Sequence, residues 1–157
     1  MKIIDSIHKD AIFANLEAED KIGVLEELVK PMADISGSDW KEMARDLLAR
    51  ESLGSTGIGG GIGIPHCKRK DIDSMILGLG ISREGIDFDS IDSRPVRIFF
   101  VLITPEDGAG LHLKLLSRIS RLLKDHLFKE KLLGAKDRDE IYGIIKREEE
   151  ILWGGSD

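Results

Sequence analysis

The segment between Gly54 and Gly63 limits what this chain can fold into more than any other stretch. Six of its ten residues are glycine, and each glycine in a helix interior costs about 1 kcal/mol relative to alanine. A helix is therefore excluded, and the sequence predicts a loop there. A short extended run should follow and end at Pro65 and His66, because Pro65 fixes its own φ and biases Ile64 toward extended geometry.

Apolar residues recur at helical spacing in five other places. The first helix runs from Ile22 to Met32 and should weaken near Pro31, which lacks a backbone N–H. The second has a cap-like start at Asp39 and should end near Arg50. The other three are an apolar stripe from Leu115 to Leu123 with His112 in its first turn, a short helix around His126 to Leu133, and a last helix that opens at Asp137.

Two short apolar runs of strand length, Met75 to Ile81 and Val96 to Thr104, supply the predicted sheet. Strands separated by about a dozen residues can pair antiparallel, so we expect a mixed sheet rather than an all-parallel one. A chain of 157 residues is long enough to bury one substantial core. The expected architecture is α/β, a single domain over residues 1–157 with its core at about residues 3–150, in which helices flank the mixed sheet.

Charge and composition exclude several classes of partner. The formal net charge of −6 argues against nucleic acid, because phosphate backbones are bound by clustered Lys and Arg. No run approaches the roughly 18 apolar residues of a spanning helix, and the N-terminus MKIIDSIHKD is charged where a signal peptide would be apolar. We therefore expect no membrane insertion and a cytoplasmic location. The single cysteine, Cys67, excludes an internal disulfide and leaves no cysteine cluster for structural zinc.

The glycine-rich segment is also the best candidate for chemistry. Glycines leave backbone N–H groups unblocked, and successive N–H groups in such turns form concave nests that bind anions such as phosphate. The predicted phosphate-binding loop comprises Ser55, Thr56, Gly57, Gly59 and Gly61. The alternative is a flexible connection that precedes an ordinary surface histidine. A nucleotide is not expected, because neither G-x-x-x-x-G-K-[ST] nor G-x-G-x-x-G occurs.

Four segments resemble a known protein family: ARE at 49–51, STGIGGGIGIPH at 55–66, FDSIDSRPV at 88–96 and HLKLL at 112–116. The family is enzyme IIA of the phosphoenolpyruvate-dependent phosphotransferase system, in its fructose/mannitol class (type 2), and within that class the nitrogen-regulatory enzyme IIA. The resemblance covers nearly the whole chain. It implies an α/β fold with a mixed sheet flanked by helices, the type-2 enzyme IIA or anion-transporter-like fold.

The resemblance also implies which residues act. The family's phosphorylated histidine falls on His66, its second active-site histidine on His112 and its active-site arginine on Arg50. It further implies a phosphate on Nε2 of His66, with Nδ1–H held by a backbone carbonyl. Two positions depart from the common pattern: Cys67 stands where glycine is usual, and Gly63 where alanine is frequent. Neither removes a reacting group, although Cys67 adds bulk beside the nucleophile.

Each of these residues also has a purely structural interpretation. Arg50 at a helix C-terminus could complement the helix dipole, and His112 on an apolar stripe could be a core histidine with one hydrogen bond. Adjacent residues of an extended run point to opposite sides, so a nucleophilic pair of Cys67 and His66 is not expected. A zinc site of His66, Cys67 and His112 fails for the same reason and lacks a fourth ligand.

As a function, the resemblance implies a phosphocarrier that needs no cofactor and no metal. A phosphorylated HPr- or NPr-type protein would donate the phosphoryl group to His66, and a downstream regulatory protein or a IIB subunit would accept it. Nitrogen or regulatory signalling is the expected setting. The alternatives are a sugar-system IIA component that passes phosphate to a separate IIB subunit for fructose- or mannitol-type uptake, and a purely regulatory binding module switched by phosphorylation of His66.

Overall fold

A mixed sheet lies at the centre of the computed structural model, which describes residues 2–154. Within those residues six strands form it: β1 (Ile7–Phe13), β2 (Gly57–Gly59), β3 (Ile62–Gly63), β4 (His66–Arg69), β5 (Ile76–Ile86) and β6 (Val96–Pro105). Their order across the sheet is β1, β5, β6, β3, β2, and β4 also pairs with β6. β5 and β6 pair antiparallel, whereas β6 pairs parallel with β3 and β4. The predicted mixed sheet is confirmed.

Five helices flank this sheet in the described part of the chain: α1 (Lys21–Ser36), α2 (Trp40–Glu51), α3 (Ala109–Leu122), α4 (His126–Leu133) and α5 (Arg138–Trp153). Four of them begin after an aspartate whose carboxylate accepts a backbone N–H of the first turn: Asp20, Asp39, Asp125 and Asp137. The five predicted helices are confirmed, and His112 lies in the first turn of α3 as expected. None of the helices among residues 2–154 has the length and apolar character needed to cross a membrane.

The prediction that α1 would weaken near Pro31 is wrong, because the helix continues through Pro31 to Ser36. A proline in a helix interior removes one backbone hydrogen bond and costs about 3 kcal/mol. Val29 and Met32, on either side of Pro31, are fully buried. Full burial of such a side chain contributes about 1.5–3 kcal/mol, so the packing of α1 offsets the loss at Pro31.

The two faces of the sheet are covered by different helices. Leu77 and Phe100 belong to the core cluster that α3, α4 and α5 close, and Phe99 belongs to the cluster under α1 and α2. Because both faces are buried, β5 and β6 have continuous apolar sequences. Gly80 of β5 lets α1 approach the sheet, since a Cβ there would lie 2.8 Å from Leu28 Cδ2.

The strands that the sequence analysis did not predict pair with β5 or β6, or, in the case of β2, with the neighbouring strand β3. β1 pairs with β5, β4 pairs with β6, and the segment predicted as a loop contains the β2 to β3 hairpin. Gly60 and Gly61 turn this hairpin with φ of 66° and 79°, values that glycine adopts without strain. The pairing of β3 and β4 with the central strand β6 fixes the backbone on both sides of Pro65.

Candidate functional site

The sheet holds the backbone of His66 in place. His66 is the first residue of β4 and is paired with Leu102 of β6. The preceding residue, Pro65, accepts a hydrogen bond from the Leu102 N–H at 3.0 Å, and its ring fixes its own φ. The imidazole is therefore presented from a backbone that is tied to the central strand.

The His66 ring has one nitrogen engaged. Nδ1 lies 2.7 Å from the carbonyl oxygen of Ile64. A carbonyl oxygen can only accept, so Nδ1 must donate and therefore bears the hydrogen. In the neutral ring this leaves Nε2 with a free lone pair, which is the form that can act as a nucleophile.

The surroundings of His66 favour that neutral form. Burial lowers the pKa of His66 below its usual value, and the positive charges of Arg50 and Lys68 act in the same direction. The hydrogen bond to Ile64 and the charge of Glu51 raise the pKa but do not reverse the shift. The ring is therefore largely uncharged at neutral pH, with the lone pair of Nε2 free.

His112 stands beside His66. The centroids of the two rings lie 5.1 Å apart at an interplanar angle of 61°, and His112 is only 4% exposed. A hydrogen bond of 2.7 Å joins its Nδ1 to the hydroxyl of Thr104 on β6. Burial, together with the charges of His66 and Lys68, lowers the pKa of His112 to about 4. His112 is thus both a buried, hydrogen-bonded histidine and a direct neighbour of His66.

Arg50 joins the two histidines at one surface depression, which we call the histidine hollow. Arg50 comes from the last turn of α2, and its Nη1 donates to the carbonyl of Gly54 at 2.9 Å. The structure therefore brings the three residues His66, His112 and Arg50 together. The hollow is lined by Ala49, Arg50, Leu53, His66, Cys67, Lys68, His112, Leu113 and Leu116.

The predicted phosphate-binding loop does not line the histidine hollow: Ser55, Thr56, Gly57, Gly59 and Gly61 are all absent from its wall. Their polar groups are used within the chain. Ser55 Oγ donates to the Phe88 carbonyl at 2.6 Å, and the Gly57 N–H donates to Ser55 Oγ at 3.0 Å. The Thr56 N–H donates to the Glu51 carboxylate at 3.1 Å. The amides of Thr56 and Gly57 are therefore already paired within the chain and are not available to an anion in the hollow.

Sequence reasoning overlooked some residues that the structure places in the hollow. Lys68 lies on β4 two residues after His66, and its charge acts on both histidines. Its only sequence signal was membership in the short basic run Lys68 to Lys70. Leu53 and Leu113 are exposed apolar side chains of the wall, and no local pattern marks such residues, because isolated exposed leucines are common.

The structure shows the surroundings of Cys67 and Gly63, the two residues that depart from the common family pattern. Burial and the neighbouring Asp46 carboxylate raise the pKa of the Cys67 thiol to about 12, so Cys67 is a thiol and not a nucleophilic thiolate near neutral pH. A Cβ at Gly63 would lie 3.2 Å from Val96 Cγ1 and 3.4 Å from Phe99 Cδ1, so an alanine there would need a small shift of the Val96 side chain. Within residues 2–154, no group of three or more His, Cys, Asp or Glu side chains is placed to hold a metal ion.

A family model matches most of the chain. Its description is "Phosphoenolpyruvate-dependent sugar phosphotransferase system, EIIA 2", and the match covers residues 5–148. That range includes every residue that lines the histidine hollow.

Individual relatives are similar over nearly their full length. A nitrogen regulatory protein of Bradyrhizobium diazoefficiens is 35% identical over 145 residues, which are 92% of this chain and 95% of that protein. The fructose-specific EIIA component of Haloferax volcanii is 36% identical over 126 residues, 80% of this chain and 82% of that protein. The crystal structure of nitrogen regulatory protein IIA-Ntr from Neisseria meningitidis superposes with a TM-score of 0.86 at 29% identity, covering 91% of this chain and 98% of that one.

Proposed function

Because the chain belongs to the EIIA type 2 family of the phosphoenolpyruvate-dependent sugar phosphotransferase system, a family of phosphotransfer components, we propose that it is a histidine phosphocarrier. A phosphorylated HPr- or NPr-type protein donates a phosphoryl group to His66, and a second protein removes it. The reaction needs no metal and no cofactor. The proposed location of the protein is the cytoplasm. The proposed domain organisation is a single domain over residues 1–157.

The observation that carries this proposal is the bond between His66 Nδ1 and the Ile64 carbonyl at 2.7 Å. It leaves the lone pair on Nε2, which attacks the phosphorus of the donor's phosphohistidine. The Nε2–P bond forms while the donor's P–N bond breaks, and the electron pair of the broken bond stays on the donor nitrogen. The phosphorylated His66 ring keeps its Nδ1–H and gains positive charge, which the Ile64 carbonyl stabilises.

Three side chains of the hollow stabilise the group in transit. Phosphoryl transfer passes through a loose transition state with charge on the equatorial oxygens, so that catalysis is mainly positioning and electrostatic stabilisation. Arg50 offers a planar fork of N–H donors to those oxygens. Lys68 adds a second positive charge, and His112 contributes a ring N–H from its fixed position next to His66.

The partner is a protein, because the histidine hollow has an apolar rim suited to one. Leu53 is 84% exposed and Leu113 is 67% exposed. Together with Ala49 and Leu116 they surround the histidines and the two cations. Exposed apolar groups next to polar ones are typical of protein docking surfaces. When the donor protein covers this apolar rim, its phosphoryl group meets His66 at a surface from which bulk water is excluded.

Nitrogen or regulatory signalling is the proposed setting, supported by the regulatory relatives from Bradyrhizobium diazoefficiens and Neisseria meningitidis. In this setting the acceptor is a regulatory protein, or phosphorylation of His66 itself changes which protein the surface binds. A second candidate is sugar uptake, in which His66 passes its phosphate to a separate IIB subunit. It is favoured by the 36% identity to the fructose-specific component.

The phosphocarrier proposal is tested by incubating the protein with phosphoenolpyruvate, enzyme I and HPr and measuring its intact mass before and after mild acid. We expect a gain of one acid-labile phosphoryl group in the wild type and none in His66→Ala. His126→Ala is the matched control, because His126 lies on the exposed start of α4. An equal gain in His66→Ala would contradict the proposal. Adding a fructose-type IIB protein to the phosphorylated chain then separates the two settings, since rapid loss of the group to IIB supports sugar uptake.

A further inference from the structure

Directly after Arg50 of the histidine hollow comes a buried carboxylate that the proposed reaction does not use, Glu51. We infer that Glu51 is a positioning residue that acts through Thr56 on both His66 and Arg50. This inference rests on the proposed phosphotransfer, which it deepens by assigning what holds the nucleophile in its reactive tautomer.

The location of Glu51 is unfavourable unless it is compensated. It is the last residue of α2, where the negative end of the helix dipole disfavours a carboxylate. It is also only 6% exposed, and burial of an unpaired charge is costly. A carboxylate that is both buried and placed at a helix C-terminus requires specific partners to stabilise its charge.

Two residues, Thr56 and Lys21, supply three donor groups to Glu51. The Thr56 N–H donates to Oε1 at 3.1 Å, and the Thr56 hydroxyl donates to Oε2. Lys21 of α1 places its ammonium 3.1 Å from Oε1. Lys21 is itself held over the ring of Phe88 at 4.6 Å from the centroid. Glu51 therefore fixes Thr56 with both carboxylate oxygens, and Lys21 compensates the buried charge.

From Thr56 a short chain of hydrogen bonds leads to the nucleophile. The Ile64 N–H donates to the Thr56 carbonyl at 3.0 Å, and the Ile64 carbonyl accepts from His66 Nδ1 at 2.7 Å. The peptide groups of Thr56 and Ile64 thus connect Glu51 to the bond that selects the His66 tautomer. A shift of Thr56 displaces Ile64, and the His66 ring then loses its fixed acceptor.

The same contact closes the turn that orients Arg50. Residues 51–56 lead from α2 into β2, and the Gly54 N–H donates to the Glu51 carbonyl at 3.0 Å. The Gly54 carbonyl in turn accepts from Arg50 Nη1 at 2.9 Å. Because Glu51 binds Thr56 at the far end of this turn, the Gly54 carbonyl is held where Arg50 meets it. The Glu51 carboxylate therefore positions two of the three proposed active-site residues, His66 and Arg50.

The test compares Glu51→Gln and Thr56→Val with Thr56→Ser, which restores the hydroxyl. The first readout is the tautomer of His66, taken from long-range ¹H–¹⁵N couplings of the ring in the unphosphorylated protein. The second is the rate of phosphoryl acceptance from phosphorylated HPr. Glu27→Gln is the matched control, because Glu27 also accepts backbone N–H bonds, from Glu17 and Ala18, but far from the hollow along the chain.

We expect the wild type, Thr56→Ser and Glu27→Gln to keep the Nδ1–H tautomer and the wild-type rate. Thr56→Val and Glu51→Gln should populate the Nε2–H tautomer and accept phosphate at least about tenfold more slowly. Thr56→Val keeps the backbone bond to Glu51 and so tests the inference even if Glu51→Gln fails to fold. An unchanged tautomer in a folded Thr56→Val overturns the inference. A shifted tautomer in the variants together with no phosphorylation of the wild type sustains the inference while refuting the phosphocarrier proposal.

Discussion

The ring of His112 meets the ring of His66 edge-on, with centroids 5.1 Å apart. Two protonated imidazoles at this distance would repel each other, and both pKa values are lowered. The pair is therefore neutral before transfer. In the proposed transfer, a phosphoryl group arriving at His66 would bring negative charge, which would raise the pKa of His112 and strengthen its N–H as a donor. The pair of rings would thus respond to the charge that the proposed reaction brings.

A His112→Gln variant tests this response. Glutamine keeps a polar group of similar reach toward Thr104 but cannot gain a proton. Removal of a donor aimed at developing charge costs about 10²–10³ in rate in well-studied sites. Because glutamine keeps an N–H donor but cannot become positively charged, we expect His112→Gln to slow phosphoryl acceptance by roughly 10- to 100-fold. Rapid-quench mass spectrometry gives the rate, with His126→Gln as the control. Transfer at the wild-type rate would remove His112 from the mechanism.

Two variants of Arg50 separate the contribution of its positive charge from that of its planar guanidinium group. Arg50→Lys keeps the positive charge but loses the planar fork, whereas Arg50→Ala loses both. We expect Arg50→Ala to accept phosphate about 100-fold more slowly and Arg50→Lys to fall between it and the wild type. Stability should change by no more than about 1 kcal/mol in urea unfolding, because the bond from Arg50 to the Gly54 carbonyl is exposed. Arg45→Ala, an exposed arginine of the same helix, should leave both quantities unchanged. Equal rates for Arg50→Ala and the wild type would assign Arg50 to the helix dipole alone.

The pH dependence of acceptance follows from the lowered pKa of His66. Only the neutral ring has a nucleophilic lone pair, so the rate should fall as the ring becomes protonated. Because burial lowers the pKa from its usual value of 6.5, protonation begins at a lower pH than for a free histidine. At pH 6.5 the protein should keep more than half of its plateau rate. An NMR titration of His66 Cε1–H, which needs no donor, checks this, and a midpoint at or above 6.5 would contradict it.

The sequence predicts the fold where the signal is local. The helices have amphipathic spacing and aspartate caps such as Asp39 and Asp137, and the buried strands β5 and β6 have continuous apolar runs, so their types follow from neighbouring residues alone. The strands β1 and β4 and the β2 to β3 hairpin form because β5 and β6 offer free edges, which is a tertiary cause. Glycine content correctly excluded a helix at Gly54 to Gly63 but could not reveal that hairpin.

Of the residues that line the histidine hollow, the sequence predicts some and misses others. His66, His112 and Arg50 are far apart in sequence and were assembled from a family resemblance, not from spacing. The amides of the glycine segment looked free in the sequence because their acceptors, the Glu51 carboxylate and Asp92, are supplied by folding. The short basic run around Lys68 and the segment ARE that contains Glu51 did not by themselves assign a role to either residue, since charged residues are common on a chain with 33% charged residues.

Arg69 should stabilise the strand that carries His66. It lies on β4 and forms a bidentate pair with Asp71, at 2.9 and 2.8 Å, and a bond of 2.6 Å to Asp46 of α2. These hydrogen bonds raise the pKa of Arg69, which stays charged. Arg69→Met keeps the apolar stem and removes the charge. Because Arg69 is buried and its partners are half-exposed, we expect a loss of about 2 kcal/mol, between the values for surface and buried pairs.

Urea unfolding of Arg69→Met against Lys70→Met measures this loss. Lys70 is the next residue and is exposed, so its substitution should change the free energy of unfolding by less than about 0.5 kcal/mol. Equal losses in the two variants would mean that the carboxylates around Arg69 contribute nothing specific.

Cys67, although it follows His66 directly, should be dispensable for transfer. Burial raises the pKa of its thiol to about 12, so the thiolate fraction at pH 7 is very small and alkylation by iodoacetamide should be much slower in the folded protein than in urea. Cys67→Ala removes the sulfur while keeping a Cβ in the extended strand. Because Cys67 packs partly against the core cluster under α1 and α2, this variant should lose about 1 kcal/mol of stability but accept phosphate at the wild-type rate. Cys67→Leu, which adds bulk at the wall of the histidine hollow, should instead slow acceptance from HPr by hindering docking. If Cys67→Ala abolished acceptance while remaining folded, the thiol would have to take part in the transfer, and the assignment of His66 as the sole nucleophile would be wrong.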